Sequence, residues 1–149
     1  MFFHFPNFTL DIYIEQTKNY YATAPLISKT CTCNACRNYE KAVDFFPKEV
    51  ISFFSQFGID MKKAVSEVYS LYAPEEDSVL YGGWYHVCGK IIAGKNSWVK
   101  ISENFKICFH EKCDLLDDKF PLPAIQLDIE AVIPWVLAEK NDYYDPPNK

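Results

Sequence analysis

Residues 125–131 alternate without interruption, and the apolar phase runs on to Trp135. Ile125, Leu127, Ile129, Ala131, Ile133 and Trp135 hold one phase, and Gln126, Asp128 and Glu130 the other. A period of two kept this long admits one regular structure, a β-strand with an apolar and a polar face. A chain carrying such a strand must build a sheet and cover its apolar side. The same alternation runs through Phe8, Leu10, Ile12 and Ile14, with Asp11 and Glu15 on the polar phase, and returns briefly at Phe105, Ile107 and Phe109. Residues 79–94 and 97–102 read as a hairpin turning near Gly94, Lys95 and Asn96. Pro134, which cannot donate to a ladder, predicts that the last strand finishes at a sheet edge.

Helical spacing is confined to the first half. Val50, Phe53, Phe54 and Phe57 recur at i, i+3, i+4 and i+7, the stripe of an amphipathic helix. Pro47 suits a first helical turn, so the reading is one helix over about 35–45, capped by Asn34, and a second over about 47–57, closed by Gly58. Residues 17–32 read as a long polar connection, 60–72 as either a helical turn or a strand, and 140–149 as a mobile tail. Helices first and strands after, with one strand leading, predict a single α+β domain spanning 1–149. Its sheet is largely antiparallel, with two short helices packed on one face.

At 149 residues, 49% of them apolar, the chain can bury roughly two thirds of its unfolded surface in one core. It carries 20 acidic against 15 basic side chains, a net charge of −5, with no basic run longer than Lys62-Lys63. Nucleic acid and anionic membrane surfaces are therefore not expected partners. The opening "MFFHFPNFTLDIYIE" lacks a basic n-region and is broken by Pro6 and Asp11, unlike a signal peptide. The expectation is a cytoplasmic protein with reduced thiols.

Several segments, "CNACRNY" (33–39), "GID" (58–60), "EVY" (67–69), "YGGWYHVCGKI" (81–91) and "QLDIEAVIPWVL" (126–137), resemble an uncharacterised family of small bacterial proteins. The resemblance covers most of the chain from Cys33 onward. It implies a bacterial, cytosolic, independently folding protein, with no activity or site residue to carry over.

Six cysteines are present, three of them in "KTCTCNACRNYEK". Cys33 and Cys36 form C-x-x-C at a helix start, where a thiolate is stabilised, but no βαβ frame for a redox fold surrounds them. Cys31, Cys33 and Cys36 supply three zinc ligands; Cys108 with Cys113, or Cys88 with His86, would have to complete the set. A second short-spaced pair is missing, and structural zinc normally takes four ligands. The favoured reading makes the cysteines small buried hydrophobes, with no cofactor and no stoichiometric metal, and zinc as the alternative.

Two further groups are candidates for chemistry. If the first and last strands paired, Asp11 and Glu15 would approach Asp128 and Glu130 closely enough to raise a pKa or hold a cation. His86, beside Trp84 in "GGWYH", is a candidate proton carrier. No nucleophile elbow, P-loop or dinucleotide fingerprint is present. Without a coherent catalytic set, the sequence favours a non-enzymatic domain that binds a protein partner or forms a homodimer, with Trp135 and Pro134 in the interface. The rivals are a zinc or thiol-redox protein using Cys33 and Cys36, and an enzyme whose pocket surrounds His86 with Asp128 and Glu130.

Overall fold

Two alternating runs joined by a tight turn open the chain: β1 (Phe2–Phe5) and β2 (Phe8–Ile12) pair antiparallel. The computed structural model describes residues 1–65, 67–94 and 97–147. Four helical segments follow: α1 (Ile14–Thr23), α2 (Ile27–Thr30), α3 (Asn34–Ala42) and, after a 3-10 turn at Val43–Phe45, α4 (Lys48–Ser55). Five strands complete the described fold: β3 (Glu67–Tyr72), β4 (Ser78–Gly94), β5 (Val99–Ser102), β6 (Phe105–His110) and β7 (Ala124–Pro134). They form one antiparallel sheet in the order β1-β2-β4-β7-β6-β5, with β3 also paired to β4. The α+β class with a largely antiparallel sheet is what the alternation requires.

The expected helices over 35–45 and 47–57 are α3 and α4. Val50, Phe53, Phe54 and Phe57 are all buried. Phe54 meets Tyr85 and Phe105 edge-on, and Phe57 meets Phe109. The sheet curls around this helix. Phe5 and Phe8, at the β1–β2 turn, touch Phe109 of β6 with ring centroids 6.1 and 5.3 Å apart, although β4 and β7 lie between in the sheet. Gly58, at φ +88°, ends the α4 segment where an added Cβ would lie 2.8 Å from the Ile14 carbonyl oxygen.

Four expectations need correction. Residues 17–32 are not an irregular connection but carry most of α1 and all of α2. The first strand stops at Ile12, so Glu15 lies on a helix. The strands 78–94 and 99–102 do not form a hairpin: β5 pairs with β6, because both edges of β4 are taken, one by β7 and the other by β3 and β2. The proposed turn residues Lys95 and Asn96 lie outside the described residues. The last strand is not at a sheet edge. β7 sits between β4 and β6, and Pro134 is tolerated as its final residue.

The helix α1 has a specific task. β2 leaves the sheet after Ile12, opening a gap along β4 between β2 and β3. Tyr13 N–H donates to the Cys88 carbonyl, Cys88 N–H donates to Thr17 Oγ1, and Tyr21 Oη donates to the His86 carbonyl. Side chains of one helix thus satisfy backbone groups that a neighbouring strand would otherwise satisfy.

Candidate metal centre

Local geometry brings three sulfurs together. Cys31 ends α2 and Cys33 is the N-cap of α3, both with extended backbone. In extended chain, residues two apart point to the same side, which sets the Cys31 and Cys33 side chains side by side with their sulfurs 3.3 Å apart. An N-cap side chain faces the third helical residue. That residue is Cys36, whose backbone N–H donates to Cys33 Sγ at 3.4 Å. Asn34 is therefore not the cap; its Oδ1 instead accepts from Arg37, which also pairs with Glu139 at 2.9 Å.

All three sulfurs lie within 4.8 Å of one another. Tetrahedral thiolates around zinc, at a bond length of about 2.3 Å, stand about 3.8 Å apart, so this spacing suits a shared ion. The cluster borders a cavity of about 260 Å³ whose walls include Thr30, Lys63, Glu67 and Tyr85. The chain is held there by Ile27 N–H to the Lys62 carbonyl, Ala64 N–H to the Pro25 carbonyl and Lys63 Nζ to the Ala24 carbonyl. Hydrogen bonds from the Cys33 backbone, and then from the Cys36 and Cys33 side chains, hold the Cys31 thiol below its ordinary range. Burial, helped by the neighbouring thiols, pushes Cys36 well above it.

The reading of the cysteines as buried hydrophobes holds for Cys88 and Cys108, which are 1% and 2% exposed, and fails for this trio. Cys33 is exposed, while Cys31 and Cys36 are partly so. Among the described residues, Cys88, Cys108, Cys113 and His86 do not join the cluster.

The remaining candidates are placed elsewhere. β2 and β7 are separated by β4, so Asp11 and Asp128 are not brought together. Asp11 pairs with the N-terminal amine at 3.1 Å, Glu130 with Lys106 at 3.5 Å, and Asp128 with His110 at 2.8 Å. His86 is fully buried. Its Nε2 lies 3.2 Å from Gln126 Oε1, and the Phe120 ring lies 5.9 Å away. Gln126 in turn donates to Asp114 and Asp128. Trp135 is half-buried: its Nε1 donates to the Glu139 carbonyl, and the Tyr143 ring lies 6.1 Å from its own. Pro134 is exposed.

The sequence missed Asn38. It is fully buried, donates to Tyr81 Oη and the Pro134 carbonyl, and accepts from Val136 N–H at 2.7 Å. A polar residue on an otherwise mixed helix gives no signal of such a role.

The fold and the cluster define an α+β domain that carries a three-thiol centre. Comparison with protein-family models, with curated proteins and with solved structures finds no match. Among the described residues, no helix is long and apolar enough to cross a membrane.

Proposed function

We propose that this protein binds a thiophilic metal ion, zinc foremost, at Cys31, Cys33 and Cys36. The observation that carries this reading is the convergence of three sulfurs within 4.8 Å where burial does not force them together. Soft thiolate sets select zinc and copper(I) over harder cations. Binding removes protons from the thiols, so uptake strengthens as pH rises. Cys31, its thiol held below the ordinary range, gives up its proton more readily than Cys36. The site is structural in character: it joins the end of α2 to the start of α3.

Equilibrium titration of the reduced chain with zinc against a chromophoric chelator tests this. One ion per chain is expected, with binding lost when Cys31, Cys33 and Cys36 are all changed to Ser. A wild-type chain that takes up no zinc, or a triple variant that binds it equally, overturns the reading.

A second reading, protein binding through the outer sheet face, rests on a separate observation. Leu80, Trp98 and Val132 line an open cavity of about 270 Å³, with Tyr69 and Leu71 exposed on neighbouring β3. Apolar surface gathered this way is the usual mark of a contact site. An environment-sensitive apolar dye should bind the wild-type chain and lose its signal in Leu80→Ser with Trp98→Ser. An unchanged signal counts against this face.

A further inference from the structure

We propose that Glu67 closes the thiol centre as its fourth ligand, so that a bound ion ties the α2–α3 junction to the first residue of β3. This rests on the metal-binding reading above and asks what fills the position that three sulfurs leave open. Closed zinc sites take four protein ligands, and carboxylate oxygen is an accepted one.

The cavity wall narrows the choice. Tyr85 Oη is committed to the Met61 carbonyl and to Tyr39 Oη. Thr30 Oγ1 donates to the Ile27 carbonyl, and Lys63 is a cation bonded to the Ala24 carbonyl. Glu67 shares this wall with Cys31 and Cys36 and is its acidic residue. Among the described residues, that carboxylate makes no hydrogen bond or ion pair, which leaves it available to a cation held in the same wall.

The backbone supports the arrangement. Glu67 stands opposite Trp84 in the β3–β4 ladder. Its carbonyl oxygen packs so closely on Gly83, at φ +150°, that a Cβ there would come within 2.2 Å. The main chain is thus fixed while the side chain is exposed. The carboxylate lies outside the sulfur trio and reaches the ion by rotation about its own side-chain bonds. Three thiolates and one carboxylate around a divalent ion leave net negative charge, part of which Lys63 in the same wall offsets.

Cobalt(II) provides the readout, since its visible spectrum reports ligand number and type. The full-length reduced chain is loaded with cobalt, then titrated with imidazole as a small exogenous ligand. If Glu67 occupies the fourth position, imidazole leaves the wild-type spectrum unchanged but shifts that of Glu67→Ala. Loss of even an outer supporting group weakens metal binding about 10–100-fold, so losing a direct ligand should cost at least about tenfold in zinc affinity. Glu67→Cys should restore the affinity and add sulfur-to-cobalt charge-transfer intensity from a fourth thiolate. Because Glu67 is exposed, the metal-free variants should show the wild-type far-ultraviolet circular dichroism. A wild-type spectrum that shifts with imidazole as readily as Glu67→Ala overturns the role of Glu67 and leaves the three-sulfur site standing. A wild-type chain that binds no cobalt or zinc overturns both.

Discussion

His86 shows how one buried ring couples this protein to pH. Its surroundings are mixed: Gln126 bonds its Nε2, and Asp114 and Asp128 favour the charged form, but burial outweighs them and holds its pKa below the usual histidine range. An unfolded chain returns the ring to an ordinary value of about 6.5. As pH falls through that value, the unfolded state takes up a proton that the folded state refuses, so stability drops. The contribution is fully present above about pH 6.5 and is lost from there down to the lower folded value. Denaturant midpoints measured between pH 7.5 and 5 should fall with acidity in the wild type and change less in His86→Gln. Equal slopes would mean that the ring is not held neutral in the fold.

At the scale of elements, α1 does work that its sequence conceals. Thr17→Val keeps the shape but removes the oxygen that accepts from Cys88 N–H, leaving a buried amide without a partner. Such an orphan costs about 1–3 kcal/mol, and Thr17→Ser, which retains the oxygen, should cost much less. Urea unfolding of the two variants separates these outcomes; equal stability would remove α1 from the role of surrogate strand. The same residues explain what could be read in advance. α4 was legible because its buried face is largely aromatic and recurs at helical spacing, and β7 because its two faces differ in polarity. α1 was not, since it buries only Thr17 and Tyr21 and its value lies in hydroxyl oxygens rather than apolar area. β4 is the longest strand, but its polar phase includes the buried His86 and Cys88, so alternation blurs. The thiol centre was half legible. The spacing named its three residues, but convergence depends on the extended backbone at Cys31 and Cys33, which no residue in that stretch dictates. Glu67 is distant in sequence and joins the site only through the β3–β4 ladder.

At the scale of the whole molecule, the open question is what covers the end of the central strand. β7 is flanked on both edges, yet beyond Pro134 its apolar run continues through Trp135 and Val136. Asn38 grips this stretch from one side, bonding the Pro134 carbonyl and Val136 N–H. The C-terminal residues hold it from the other. Asn141, 4% exposed, donates to the carbonyls of Glu76 and Ser78, and Tyr143 rests on Trp135. The sequence offered a second copy of the chain as the cover for this patch; the packed Tyr143 favours the chain's own C-terminal residues instead. Ending the chain at Lys140 removes two hydrogen bonds to carbonyls and one aromatic contact. The expected loss is about 2–4 kcal/mol. The uncovered indole then presents an apolar patch of the kind that two-fold association commonly buries. Light scattering should show a mass that rises with concentration for the shortened chain more steeply than for the full one. If truncation changes neither stability nor mass, the contacts of Asn141 and Tyr143 contribute nothing, and Trp135 with Pro134 returns as the surface where a second copy would dock.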